Sequence, residues 1–111
     1  MKCVTLAIAI TVINVGVAAA QNTEATERGE KVYTTQKCGI CHSIAGKGNK
    51  NGPLDDVGSR LSAEEIRQWI TDAPAMTAKA KATRKPPMKA YGALAKEDVD
   101  ALVNYLQTLK K

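Results

Sequence analysis

The chain contains no phenylalanine, one tryptophan, three tyrosines and a single histidine. For 111 residues this is little bulky apolar mass. A core made from it is thin for independent stability, because small domains bury only a modest share of their surface and lean on bound groups or cross-links. Strand patterning is lacking as well. No run alternates apolar and polar residues over a strand's length, and there is no internal repeat and no sign of a second domain, which leaves an all-α reading. Charge of one sign does not dominate: 16 basic against 11 acidic residues give a formal net charge of +5. This mild basic balance is not a nucleic-acid footprint.

What is present begins with the layout of a secretory signal in residues 1–20. Lys2 supplies a short positive start, Val4 to Val17 a mostly apolar run, and Ala18-Ala19-Ala20 a small-residue cleavage site before Gln21. The competing reading is an uncleaved membrane anchor. The run is shorter than the roughly 20 apolar residues a span needs, and Thr5, Thr11 and Asn14 interrupt it. Cleavage is therefore expected, leaving residues 21–111 as one exported domain without a membrane span. Cys3 leaves with the signal and is assigned no role.

The remaining domain carries Cys38-Gly39-Ile40-Cys41-His42, the C-x-x-C-H pattern of covalent c-type haem attachment. On a helical turn, positions i, i+3 and i+4 share one face. The two thiols can then add to two vinyl groups along one haem edge, while the imidazole points under the iron. Other uses of the pair fit less well. A structural zinc wants four N or S ligands, and only Cys38, Cys41 and His42 remain. A thioredoxin-like redox pair expects a βαβ context. A structural disulfide gives His42 nothing to do. One covalent haem c is the reading, and its bulk would supply the apolar mass the chain lacks.

Around the motif, spacing predicts a first helix over residues 24–36, capped by Thr23, with Ala25, Gly29, Val32 and Tyr33 along one side. A Gly-, Asn- and Lys-rich loop from Ser43 to Gly58 follows. Ser62-Ala63-Glu64-Glu65 fits a capping box, with Leu61 and Ile66 as its hydrophobic staple. The helix it starts runs to about Asp72 and stops before Pro74. A short, weak helix is expected over 75–82, and Lys85-Pro86-Pro87 enforces an extended segment. The last helix covers 96–109, with Val99, Leu102, Val103, Leu106 and Leu109 as its apolar stripe. Acids near its start and Lys110 and Lys111 at its end suit the helix dipole.

The second axial ligand decides between electron carrier and haem enzyme, because a thioether closes the iron and raises its potential. No second histidine exists, so bis-His ligation within one chain is excluded. Met76 and Met88 are the methionines outside the signal. Met88 follows Pro86-Pro87, a stiff strut from which a side chain can be aimed. It is the expected ligand, and Met76 the gap-filling alternative.

These features resemble the class I cytochromes c of the small bacterial type over nearly the whole exported domain. The carrying residues are the early Cys38-Gly39-Ile40-Cys41-His42, then Gly52-Pro53-Leu54, then Pro87-Met88 ahead of a final helix. The resemblance implies a small cytochrome c fold, three to five helices wrapped around one covalent haem, with the N- and C-terminal helices crossing. It implies thioether roles for Cys38 and Cys41, and iron ligation by His42 and Met88. Pro53 resembles the proline whose carbonyl accepts the proximal imidazole N–H, and Trp69 a tryptophan near a haem propionate. Gly29 and Tyr105 resemble the small–aromatic pair at the helix crossing. The chain departs from the pattern in the shorter Pro53-Leu54 spacing, so that Val57 rather than Leu54 is a candidate to pack on the haem. Lys89 follows the methionine where Pro is frequent, and Ala95 lacks a capping side chain.

The expected function is a non-enzymatic one: a monomeric periplasmic carrier that passes single electrons between redox proteins. Lys37, Lys47, Lys50, Lys85 and Lys89 flank the haem segments as a docking ring for an acidic partner, or as a plain solvated face. Two alternatives stand beside it: a haem subunit of a larger dehydrogenase or oxidase complex, and a five-coordinate haem enzyme or gas-binding module. The last has no distal His, Arg or acid placed for peroxide chemistry.

Overall fold

The last helix, α5 (Lys96–Gln107), supplies most of the core. Its spacing puts Val99, Leu102, Val103 and Leu106 on one side. All four are buried with Val32 of α1 (Val17–Thr35), Val57 of α2 (Val57–Arg60), and Ile66 and Ile70 of α3 (Ala63–Thr71). A fifth helix in space, α4 (Ala73–Lys79), buries Ala73 and Met76. This arrangement is seen in a computed structural model that describes Thr11 and residues 17–111. Most of the expected signal segment, Cys3 included, lies outside the described residues. Among those described, no helix is long and apolar enough to cross a membrane.

The fold is all-α, and α1 crosses α5. α1 starts at Val17 rather than Glu24, so Thr23 lies inside the helix instead of capping it. The physical reason is local: Ala18, Ala19, Ala20 and Gln21 all favour helix, and nothing between Val17 and Glu24 breaks one. At the crossing, Gly29 is buried against α5. A Cβ on it would lie 2.5 Å from Tyr105 Cβ and 2.8 Å from the Ala101 carbonyl carbon, so only glycine admits this approach. Arg28 fastens the same crossing, donating from Nε (3.0 Å) and Nη2 (2.9 Å) to Asp98 Oδ1.

α3 begins at a complete capping box. The Glu65 N–H donates to Ser62 Oγ and the Ser62 N–H donates to Glu65 Oε1, each at 3.2 Å. Leu61 packs against the core cluster that holds Ile66. α3 ends at Thr71, and Pro74 enters the first turn of α4, where its missing N–H costs nothing. From Ala80 to Ala95 the chain forms neither helix nor strand. It is tied back by the Tyr91 N–H, which donates to the Ile70 carbonyl at 2.8 Å.

The expected loop after the haem motif contains a hairpin, contrary to the strand-free reading. β1 (Ser43–Ile44) pairs antiparallel with β2 (Lys47–Gly48) through Ala45 and Gly46, whose φ values are 51° and 77°. Positive φ at both central residues is what a tight type I′ turn demands. Two-residue strands are too short to show an alternating pattern, which is why the sequence does not reveal them.

Candidate haem centre

Cys38 sits half-buried at the end of α1, after Lys37 has taken a left-handed turn (φ 57°). The chain then makes a 3-10 turn over Cys38–Ile40. The Cys41 N–H (3.1 Å) and the His42 N–H (2.9 Å) both donate to the Cys38 carbonyl. These are the i+3 and i+4 bonds that bring Cys38, Cys41 and His42 to one side of a turn. Both thiols are free. Ile40, between them in sequence, is pushed outward and is 68% exposed.

The loop that follows holds this turn from beneath. The Asn49 N–H donates to the carbonyls of Gly39 (3.0 Å) and His42 (2.9 Å), and Asn49 Nδ2 donates to the Ile40 carbonyl at 3.1 Å. One asparagine thus satisfies three carbonyls of the motif. Sequence reasoning saw only a polar loop there, and no local signal singles Asn49 out. Gly48, at φ 103°, lies against the His42 carbonyl and the Gly39 backbone, with no room for a side chain.

His42 is half-buried, and its Nδ1–H donates to the carbonyl of Gly52 at 3.1 Å. This corrects the expectation that Pro53 supplies the acceptor. Residues 43 and 53 form an isolated parallel bridge, in which the Ser43 N–H donates to the Gly52 carbonyl (3.1 Å) and the Leu54 N–H to the Ser43 carbonyl (2.9 Å). Carbonyls alternate in direction along an extended segment. With Gly52 turned toward the motif, Pro53 carries its carbonyl away. Burial holds the imidazole below its usual pKa. The Gly52 hydrogen bond opposes this, and the charge of Arg84 adds to it. The net effect favours neutral imidazole, the form that ligates metal. With Nδ1 engaged, Nε2 is the ring nitrogen left to act. Burial also pushes the Cys38 thiol upward, its own backbone hydrogen bond working against that.

The Met88 segment comes to the same region. Lys89 lowers, and so bears electrostatically on, the Cys38 thiol, while Tyr91 feels both Cys38 and Cys41. Lys89 Nζ stands 5.1 Å from the centroid of the Tyr91 ring. Met88 itself is half-buried between exposed Pro87 and Lys89, whereas Met76 is a buried core residue of α4. Trp69 is half-buried on α3, next to the Ile70 carbonyl that anchors Tyr91. Val57 is buried, and Leu54 partly buried against the core cluster.

The donor set fits a covalently held haem better than a bare ion. Two free thiols and one imidazole with a single free nitrogen follow one another on a tight turn. Among the described residues, no three His, Cys, Asp or Glu side chains are grouped so as to hold a metal ion by themselves.

Comparison with known proteins agrees with this chemistry. The family model described as cytochrome c matches residues 26–110. Among curated proteins, cytochrome c oxidase subunit 2 of Alkalihalophilus pseudofirmus (strain ATCC BAA-2126 / JCM 17055 / OF4) is 29% identical over 92 residues, a match to 75% of this chain. The chain spans 25% of that relative's length. No solved structure matches it.

Proposed function

For a chain that belongs to the cytochrome c family, we propose service as an exported electron shuttle whose haem is closed by His42 and Met88. The family membership carries the coarser statement: the protein holds haem c covalently, and haem-based electron transfer is its chemistry. The bound group supplies a one-electron couple at its iron. The chain supplies the rest. Cys38 and Cys41 hold the group by two thioether bonds. His42 Nε2 and Met88 Sδ would ligate the iron, and Trp69 would border a propionate. Pro53 stiffens the strand that presents Gly52 to His42.

The observation that carries this reading is the turn at residues 38–42, with Lys89 and Tyr91, just past Met88 in a separate segment, close enough to bear electrostatically on its cysteines. Two ligands held by the folded chain would leave little to rearrange between the oxidation states of the bound group. Burial disfavours the extra charge of the ferric state, and a thioether ligand favours the ferrous one. Export rests on residues 1–20 acting as a cleaved signal.

Ile40 is the one large exposed apolar side chain among the described residues. Lys37, Lys47, Lys50, Lys85 and Lys89 are all exposed near the haem segments. In this reading Ile40 marks a docking face, and the lysines steer an acidic redox partner to it.

The test is the absorption spectrum of the purified ferric protein beside Met88→Ala and Met76→Leu. The expected outcome is an iron–thioether charge-transfer band in the parent, lost in Met88→Ala and kept in Met76→Leu. A five-coordinate spectrum in the parent, or loss of the band in Met76→Leu alone, would sink the assignment. A second reading, a haem module bound permanently within an oxidase complex, is favoured by the oxidase-subunit relative. Co-purification with a membrane oxidase supports that reading over a free shuttle.

A further inference from the structure

Arg84 occupies the space where residue 52 would carry a side chain. A Cβ on Gly52 would meet Arg84 Nη1, the Cys41 carbonyl oxygen, and Arg84 Cζ at 3.1 Å. The guanidinium therefore lies against the Gly52 backbone, beside the peptide that joins Cys41 to His42. The Gly52 carbonyl is the acceptor for His42 Nδ1–H and for the Ser43 N–H. Whereas Arg28, Arg60 and Arg67 each face an aspartate, among the described residues no carboxylate forms an ion pair with Arg84. Its placement is thus not explained by a carboxylate.

We propose that Arg84 is a positioning residue for the haem ligand His42, acting through the Gly52 peptide to hold the iron's potential up. The inference rests on the function proposed above, in which His42 ligates the iron. The physical chain has two parts with the same sign. A cation beside the Gly52 peptide draws electron density from it and weakens its carbonyl as an acceptor. The His42 N–H is then held less strongly, the imidazole donates less electron density, and the ferric state loses support. The charge also acts directly on the half-buried imidazole, though Arg84 itself is exposed and its field is partly screened by solvent. Glycine at 52 is what admits the guanidinium, because any side chain there would displace it.

The experiment is spectroelectrochemical titration of the haem-loaded protein, Arg84→Gln and Arg84→Lys, together with their ferric spectra. At the parent's midpoint, Arg84→Gln is expected to shift the ferric-to-ferrous ratio about tenfold toward ferric, which is about 59 mV for one electron. The thioether band should be unchanged, and Arg84→Lys should keep most of the parent's potential. A parent and Arg84→Gln of equal potential, with the band intact in both, overturns the inference while leaving the carrier reading in place. Equal losses in Arg84→Gln and Arg84→Lys also overturn it, because charge would then not be the cause. A parent with no thioether band refutes the carrier reading, and this inference with it.

Discussion

Gly29 and Tyr105 meet at the crossing of α1 and α5 with no space between backbone and ring-bearing carbon: a Cβ on residue 29 would stand 2.5 Å from Tyr105 Cβ. It would also run into the Ala101 carbonyl, which is backbone and cannot swing aside. Relief requires that one helix move off the other. Gly29→Ala is expected to cost about 1–3 kcal/mol, as overpacking does, despite the better helix propensity of alanine. Thermal unfolding of the haem-loaded protein should show a midpoint at least about 4 °C lower. An unchanged midpoint would mean the crossing is loose.

Tyr33 packs edge-on to Tyr105, ring centroids 6.1 Å apart, and its hydroxyl is buried without a hydrogen-bond partner among the described residues. Burial, with Cys38, Tyr105 and Asp55 adding to it, pushes the phenol up from 10.0 to about 12. The folded state thus keeps this proton more tightly than the unfolded chain does. Its contribution to stability is full below pH 10 and is lost as pH rises toward 12. Tyr33→Phe carries no such group. At pH 7 the variant should equal the parent or exceed it by about 1 kcal/mol, since an unpartnered buried hydroxyl is removed. Between pH 10 and 12 its advantage should widen. Denaturant titrations of both proteins across that range check this, and an advantage that stays flat with pH contradicts it.

Asp100 accepts from Lys96 Nζ at 2.8 Å and faces Arg67 Nη2 at 2.7 Å, joining α5 to α3. The Lys96 hydrogen bond, then that of Arg67, hold its carboxyl below the usual value of 3.8. The sign is opposite to that of Tyr33. The stabilisation is present above pH 3.8 and is lost as pH falls through the lowered value. Asp100→Asn should therefore unfold at a lower temperature than the parent at pH 7, and the gap should close on acidification below pH 3.8. Added salt should narrow it at pH 7, because the pair is solvent-accessible. A gap indifferent to both pH and salt would assign the loss to packing instead.

The parts of this molecule that were readable from sequence are those whose physics is local. Cys38, Cys41 and His42 announce themselves because attachment chemistry requires their spacing. Ser62 and Glu65 do so because a helix start exposes N–H groups that only such side chains satisfy. The stripe from Val99 to Leu106 follows from helical periodicity, and the Gly29–Tyr105 pair from resemblance. The parts that were hidden depend on register between distant segments. Whether Gly52 or Pro53 faces His42 is decided by a single bridge at Ser43, and one step of register reverses every carbonyl. Asn49 reads as one polar loop residue among several until its three acceptors are in place. Arg84, a lone cation ahead of Pro86 and Pro87, gains meaning only once the chain has folded back across Gly52.

The Arg28–Asp98 bond joins residues 70 apart along the chain. Closing a loop of that length costs about 4 kcal/mol of chain entropy beyond a constant, whereas closing one of about ten residues costs about half as much. The turn that presents Cys38, Cys41 and His42, the β1–β2 hairpin and the Ser43–Pro53 bridge all close within short loops of that kind. The attachment segment is therefore an assembly that can order while α5 is still undocked. Docking of α5 across α1 carries the larger closure cost, so chain entropy alone makes that crossing the later step expected in folding, a latch drawn over a centre already shaped.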